Sequence, residues 1–453
     1  MKIKTTSYTT RCHKKNKDYR LSIGISIDAP DGKVINTAAT IQLHPIAYFV
    51  GKSPATAFNL LYLSAIVYAI DRAVKRHDYS IDGWSREFDI DICIPGHEAF
   101  RSHEEQINRM LSFLTGDYWT CHFIESATVT VPHYSGHTNY FDNISQVNLF
   151  SGGMDSLIGA IDYMASKHTG KVFLASHYDS IMTGPLSDQK KLIKAFKRKY
   201  PNDFCTFFDN TAVMIDPKVS LELSCRSRSL MFISIALVVA SFAKCDVVVP
   251  ENGSVSLNYP LSASRRASCS TRTTHPVFLK QLGVLISDLG FLSTIRNPYE
   301  KMTKREMVQN CDDKAFLLQI VANSNSCGKR SQHQYMYDNP SATHCGHCMP
   351  CMYRKAALLG EEDPTTYGNR FITLFKKRDN RYQVSYDFFA MLEFLKRDLS
   401  EDEIRRELRI AGMASFDDLD DYVDLVIRTR AELSEMVRAD NNIMILKYLG
   451  WAQ

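Results

Sequence analysis

Long apolar runs and a strong excess of one charge are both missing from this sequence. The longest apolar run, Met231–Ala243, has about 13 residues, whereas a helix that spans a bilayer needs roughly 20. The net charge is only +4, so composition gives no indication of nucleic-acid binding. Met1–Arg20 is polar and basic, without the apolar segment of a secretory signal. We therefore expect a cytoplasmic protein with no membrane partner and no nucleic acid as its direct substrate.

The sequence also lacks internal repeats, low-complexity segments and the Gly-Lys-Ser/Thr of a Walker phosphate loop. It contains 12 cysteines, and without a visible secretory signal these favour a reducing compartment over a disulfide framework. Eight of the cysteines are scattered along the chain, where we expect them to fill small apolar spaces: Cys12, Cys93, Cys121, Cys205, Cys225, Cys245, Cys269 and Cys311.

Residues 1–130 are expected to form a small α+β domain without an evident site. Arg20–Asp28 alternates apolar and polar residues, as a half-buried strand does. Further strands are predicted at Ala39–Leu43, Glu87–Ile94 and Cys121–Val129, and helices at Pro54–Val74 and Glu98–Leu114. Residues 131–145, rich in Gly, His, Asn and Tyr, are expected to be a linker.

Residues 146–360 alternate between predicted strands and helices. The strands are expected at 147–150, 171–176, 204–208 and 245–249, and the helices at 155–167, 187–199 and 226–243. This alternation predicts an α/β fold with a doubly wound parallel sheet, whose ligands bind beyond the carboxyl ends of the strands. Residues 361–453 are expected to be a helical extension, in which Ser400 and Glu403 predict a capping box.

A glycine-rich turn follows the first of these strands and opens the first helix: Ser151-Gly152-Gly153-Met154-Asp155-Ser156. Glycines let backbone N–H groups approach an anion, serines add hydroxyl donors, and the helix dipole favours negative charge. The turn therefore predicts a phosphate site, although a plain strand-to-helix turn could have the same residues.

A second motif brings three thiols together at two-residue gaps: Cys345-Gly346-His347-Cys348-Met349-Pro350-Cys351. With Cys327 upstream, these residues supply the four thiolates of a closed, structural zinc site. Unpaired structural thiols and redox or persulfide chemistry are the alternatives.

Together the two motifs resemble the N-type ATP pyrophosphatases, which carry a PP-loop on an adenine nucleotide alpha hydrolase-like (HUP) fold, and within them 7-cyano-7-deazaguanine synthase (QueC). The resemblance covers residues 146–358. Its further segments are Arg228–Phe232, Glu251-Asn252-Gly253, Thr303–Met307, Ser326-Cys327 and Arg354.

The chain departs from QueC in three places. Lys329–His344 lengthens the gap after the first cysteine, so His333, His344 or His347 could replace Cys327 as the fourth ligand. The segments Ser254–Pro260 and Ser270–Pro276 replace the substrate segment of QueC. The front domain and the helical tail are additions, and with them the chain resembles the QueC-like QatC proteins of Qat anti-phage operons. A related QueC-like protein occurs in some CBASS operons.

The resemblance implies ATP bound at Ser151–Ser156, Mg²⁺ near Asp155, and adenylation of the carboxylate of 7-carboxy-7-deazaguanine. It implies that Lys304 and Arg228 neutralise the charge that develops. Asn252, Arg272 and His275 are the candidate substrate-binding residues. Each of these residues could instead have a purely structural role. Lys304 could pair with a carboxylate and Arg228 could cap a helix. Asn252 could form a turn, and Arg272 and His275 could order a loop.

The acceptor of the acyl group is open at this stage. For the QueC-like defence proteins, the resemblance implies the N-terminal amine of a partner protein from the same operon, which would be QatB-like. Ammonia, giving a nitrile as in QueC, is the first alternative. A tRNA sulfur-transfer enzyme and a non-catalytic scaffold are the others; the weak net charge disfavours the former and the intact loop disfavours the latter.

Overall fold

The computed structural model describes most of the 453-residue chain. The described residues are 1–7, 11–13, 18–126, 139–166, 168–177, 185–207, 213–215, 220–222, 224–261, 272–330, 332–376 and 386–453. In these ranges no helix is both long enough and apolar enough to cross a bilayer. Of the predicted linker, residues 131–138 fall outside the described ranges, and Asn139–Phe141 forms a 3₁₀ turn before the next strand.

The strands form two sheets. They are β1 Lys2–Ser7, β2 Arg11–His13, β3 Asp18–Asp28, β4 Val34–Gln42, β5 Glu87–Ile94, β6 Tyr118–Glu125, β7 Ile144–Leu149, β8 Lys171–Ala175, β9 Phe204–Thr206, β10 Val213–Ile215, β11 Asp246–Val248 and β12 Ile295–Arg296.

Helices connect and cover these strands. In the first two thirds of the chain they are α1 Ala47–Val50, α2 Ala55–Ala73, α3 Arg76–Tyr79, α4 His97–Arg101, α5 Glu104–Thr115, α6 Met154–Ala165, α7 Pro185–Lys199, α8 Arg228–Ala243, α9 Gly253–Leu257 and α10 Pro276–Asp288. The later ones are α11 Lys304–Gln309, α12 Lys314–Ile320, α13 Met349–Ala357, α14 Phe371–Lys376, α15 Tyr386–Lys396, α16 Glu401–Leu408, α17 Leu419–Asp440 and α18 Ile443–Tyr448.

The second sheet is parallel throughout, in the order β12-β11-β7-β8-β9. Strands are added on one side of β7 as far as β9, and the next strand, β11, is added on the other side of β7. This change in strand order creates a crevice beyond the carboxyl ends of β7 and β11. The prediction of an α/β fold with a parallel sheet is confirmed. The glycine-rich loop after β7 and Glu251-Asn252 after β11 both lie at this crevice.

The first sheet is mixed and has the order β10-β4-β3-β1-β5-β6, with β2 on β3. Its strand β10 comes from the chain after β9, so a segment beyond residue 146 completes the sheet of the front region. The sequence analysis missed β1, β2 and β10. It also predicted one helix over Glu98–Leu114, where the structure has α4 and α5 separated at Ser102–His103.

One apolar core joins the two sheets. Helices α2 and α8 are apolar on every side, which is typical of helices buried all round. They pack against each other, with α2 also on the first sheet and α8 on β7 of the second. The opposite face of the second sheet is covered by α6 and α7 in a separate core. The helical tail packs around α17 and forms its own core.

Buried charges also join the front region to α8. Arg86 lies 2.6 Å from Asp71 and 2.7 Å from Asp117, and Arg76 lies 2.7 Å from Asp117. The Ser227 hydroxyl, directly before α8, donates to Asp71 at 2.7 Å. Each guanidinium is matched by a carboxylate, which is the condition under which buried charges are tolerated.

We predict that Asp117→Asn lowers the free energy of unfolding by about 3 kcal/mol, because it leaves two buried guanidinium groups without their shared carboxylate. Urea unfolding measures the change. Asp31→Asn is the matched control, since Asp31 is exposed and pairs, within the described ranges, with the exposed Lys33; its loss should leave the midpoint unchanged. Equal midpoints for the two variants would contradict the prediction.

Candidate functional site

The loop Ser151–Ser156 begins where β7 ends and turns into the N-terminus of α6. Gly152 adopts a φ of +87°, a backbone conformation that favours glycine. A Cβ atom at Gly153 would lie 3.0 Å from the Ser326 hydroxyl oxygen, closer than nearly all real contacts. Gly152 is therefore favoured by its backbone conformation, and at Gly153 a larger residue would need the Ser326 side chain to move.

Hydroxyl oxygens hold the first N–H groups of α6. The Gly153 N–H donates to the Ser151 hydroxyl at 3.3 Å, and the Met154 N–H donates to the Ser326 hydroxyl at 3.1 Å. The Ser156 hydroxyl donates back to the Gly153 carbonyl at 3.0 Å. The Ser151 and Ser326 oxygens, which accept these bonds, occupy positions that anion oxygens take at a helix N-terminus.

Asp155 is the buried centre of the site. The Lys304 Nζ lies 2.8 Å from each of its carboxylate oxygens. The Asn252 side-chain amide donates to Asp155 Oδ2 at 2.9 Å. Burial raises the pKa of Asp155, but Lys304, the Glu251 carboxyl and Asn252 lower it by more, so its pKa lies below the ordinary value. Asp155 is therefore ionised and paired with an ammonium.

Glu251 is a second carboxyl group beside Asp155, and it was not among the site residues predicted from the sequence. Burial raises the pKa of Glu251 well above its ordinary value, and the negative charge of Asp155 raises it further. Two adjacent carboxyls that share one proton are a recurrent arrangement in acid–base and cation-binding sites. Its position three residues after β11, at the crevice of the sheet, was the signal available in the sequence.

A cavity of about 370 Å³ opens at this crevice. Its wall includes both ends of the glycine-rich loop, the first residue of α8 and the residue after β11. Among its lining residues are Ser151, Ser156, Arg228, Glu251, Thr273 and Thr274. This volume lies within the range of small-molecule sites. The structure thus brings the loop, Arg228 and Glu251 to one cavity.

The three predicted substrate-binding residues make other contacts. Asn252 caps α9 with its amide oxygen and contacts Asp155 with its amide nitrogen. Arg272 donates to the Phe113 carbonyl at 3.1 Å and lies over the Phe113 ring. His275 caps α10, and burial together with Arg272 lowers its pKa to about 3. None of the three lines the cavity, whereas Thr273 and Thr274, from the same segment, do.

The four predicted metal ligands lie together. The Sγ atoms of Cys327, Cys345, Cys348 and Cys351 are all within 4.8 Å of one another. Two of these pairs are 3.8 and 3.9 Å apart, close to the roughly 3.8 Å between thiolates of tetrahedral zinc. Hydrogen bonds within the cluster hold the pKa of Cys345 far below its usual range. This four-cysteine group could hold a metal ion such as zinc.

The three histidines considered as fourth ligand are engaged elsewhere or lie outside the thiol cluster. His333 Nδ1 lies 2.8 Å from the Pro340 carbonyl, and His344 Nδ1 lies 2.9 Å from the Thr343 hydroxyl. His347 Nδ1 lies 3.1 Å from the Asn369 amide. Cys327 is therefore the fourth member of the group.

One residue, Ser326, lies between the thiol cluster and the glycine-rich loop Ser151–Ser156. Ser326, which accepts from Met154, directly precedes Cys327. The Asn325 N–H donates to the Gly152 carbonyl at 2.9 Å. Arg354 binds the residues that precede Asn325. It is fully buried and donates to the Ser324 hydroxyl and to the backbone carbonyl of Val321.

Comparison of the chain with protein-family models, with curated proteins and with solved structures finds no match.

We predict that the purified protein contains about one zinc ion per chain, because four converging thiolates form one closed tetrahedral site. Elemental analysis by mass spectrometry measures the content. Cys345→Ser should lose the metal and melt at a lower temperature, since metal binding contributes on the order of 10 kcal/mol to folding of such sites. Cys93→Ser, outside the cluster, should keep both. A metal-free wild-type protein prepared with zinc in the medium would refute the prediction.

Proposed function

We propose that this protein is a QueC-like PP-loop ATP pyrophosphatase that adenylates a carboxylate and transfers the acyl group to an amine. The observation that carries the proposal is the placement of the glycine-serine loop and the Asp155–Lys304 pair at one crevice, next to a cavity. The motif resemblance supports the HUP-type fold, and it supports 7-carboxy-7-deazaguanine as the carboxylate.

The residues of the crevice fit ATP and its cation. The N–H groups of Gly153 and Met154, now held by serine hydroxyls, would bind phosphate oxygens. Mg²⁺ bound to ATP neutralises phosphate charge, and the carboxyls of Asp155 and Glu251 would hold it, because oxygen ligands are those it prefers. Burial and the Asp155 charge raise the pKa of Glu251 well above its ordinary value, and a bound cation would favour its ionised form.

In the proposed reaction a carboxylate oxygen attacks the α-phosphorus of ATP, and pyrophosphate leaves. The product is an acyl-adenylate. Negative charge builds up on the phosphates during this step, and Arg228, at the cavity wall, is placed to neutralise it. Lys304 can do the same, because an ammonium has three N–H donors and Asp155 Oδ2 takes one of them.

The acceptor follows from the resemblance to the QueC-like defence proteins. It supports transfer to the N-terminal amine of a QatB-like partner protein, which would carry an amide-linked deazaguanine afterwards. A protein acceptor needs a docking surface, and this chain has a seven-stranded sheet and a helical tail in addition to the parallel sheet. Ammonia as the acceptor would need no docking surface.

Removal of the Lys304 ammonium is predicted to slow pyrophosphate release at least 100-fold, a typical loss for a group that stabilises transition-state charge. The assay contains ATP, Mg²⁺ and 7-carboxy-7-deazaguanine, and the variant is Lys304→Met. Lys301→Met is the control, because Lys301 pairs at the surface with Asp418 and Asp421. Equal rates for the two variants would remove Lys304 from the mechanism.

The acceptor is tested by intact-mass spectrometry of the partner protein co-expressed with this chain. We expect an N-terminal acyl adduct that Asp155→Ala abolishes. An unmodified partner together with a nitrile formed from ammonia would instead make the protein a 7-cyano-7-deazaguanine synthase. An Asp155→Ala variant that retains full function would favour a non-catalytic scaffold.

A further inference from the structure

Cys225 lies on the wall of the same cavity and has no role in the reaction described so far. The cavity wall runs from the glycine-rich loop, Ser151 and Ser156, to Cys225 and Ser229 at the start of α8. The backbone at Cys225 has a φ of +43°, a left-handed conformation that non-glycine residues rarely adopt. Such strain is concentrated at functional sites.

The surroundings of Cys225 favour a thiolate. The Arg72 guanidinium donates to its Sγ at 2.7 Å. The residue also precedes the N-terminus of α8, a helix of 16 residues, and its carbonyl accepts the Arg228 N–H at 3.3 Å. A neighbouring arginine and a helix N-terminus are the two features that lower the pKa of reactive cysteines.

The Arg72 contact is held in place by the chain around it. The Arg72 carbonyl accepts the Glu222 N–H at 2.7 Å, and Arg72 also donates to the Glu222 carbonyl. The Glu222 carboxylate accepts the backbone N–H groups of Arg76 and Ser224 at 2.9 and 3.0 Å. Glu222 is therefore bound to backbone donors.

Four cysteines outside the thiol cluster lie in surroundings that disfavour a thiolate. Burial raises the pKa of Cys205 and of Cys245 to about 12, and it raises that of Cys121 and Cys311 further. Cys225 is also half-buried and open to a cavity. In that cavity the Ser229 hydroxyl has no hydrogen-bond partner among the described residues, as expected where a ligand supplies one.

We propose that Cys225 is a nucleophile that receives the acyl group before the amine does. The inference rests on the proposed adenylation. The Cys225 thiolate attacks the acyl carbon of the acyl-adenylate, a C–S bond forms, the C–O bond to phosphate breaks, and AMP leaves. The amine then attacks the thioester, a C–N bond forms, the thiolate departs, and the amine proton passes to solvent.

A thioester gives this cavity two separate half-reactions. AMP can leave before a bulky acceptor arrives, so one cavity of about 370 Å³ serves the nucleotide first and the acceptor amine afterwards. The acyl group stays attached to the protein in the interval.

The test incubates the full-length protein with ATP, Mg²⁺ and 7-carboxy-7-deazaguanine without any amine, followed by acid quench and intact-mass spectrometry. We expect one acyl adduct per chain, which neutral hydroxylamine removes. Cys225→Ala should abolish the adduct, and Cys245→Ser should retain it, since Cys245 is also half-buried. Pyrophosphate is measured in the same samples.

Pyrophosphate release without an adduct on Cys225 would overturn this inference and leave the adenylation intact. Absence of pyrophosphate would overturn the proposed function as well. A second measurement does not depend on folding of the variant: iodoacetamide should alkylate Cys225 of the wild-type protein at least 10-fold faster than Cys93 or Cys245, read by peptide mass mapping. Equal rates would contradict an activated thiolate.

Discussion

A carboxylate taken out of water has to be compensated by its neighbours, and the centre of this molecule is arranged around one such group, Asp155. Its partners come from two other parts of the chain: Lys304 from the start of α11, and Asn252 and Glu251 from the segment that follows β11. The parallel sheet brings these parts together, because β7 and β11 are neighbours and their carboxyl ends point to the same edge. The contacts that compensate the Asp155 charge therefore hold the glycine-rich loop, the segment after β11 and the start of α11 together.

Periodicity and motif spacing predicted the elements that are determined locally. The strand Glu87–Ile94 and the four-cysteine group have the positions expected from the sequence. The break between α4 and α5 was missed, because it falls at Ser102–His103, in a polar stretch without a glycine or proline to mark it. The strand β10 was missed for another reason. It has three residues, and its pairing with β4 depends on contacts across more than 170 positions of sequence.

Side-chain roles within the site were harder to predict than its location. Asn252 and His275 are polar residues before helices, and their side chains bind the backbone N–H groups that helix termini leave unpaired. A sequence pattern does not distinguish this use from ligand binding, since both need the same atoms. Glu251 shows the converse. Its unusual ionisation arises from a neighbour 96 positions away in sequence, a proximity that only the folded sheet creates.

The Ser326–Cys327 dipeptide has a thermodynamic consequence of its own. One residue contacts the N–H of Met154, where phosphate would bind, and the next contributes a thiol to the cysteine group. A nucleotide at the proposed phosphate site and a metal at the cysteine group would therefore meet at a single peptide bond. Any coupling between them would be reciprocal, so a change in nucleotide affinity caused by the metal would appear as an equal change in metal affinity caused by the nucleotide.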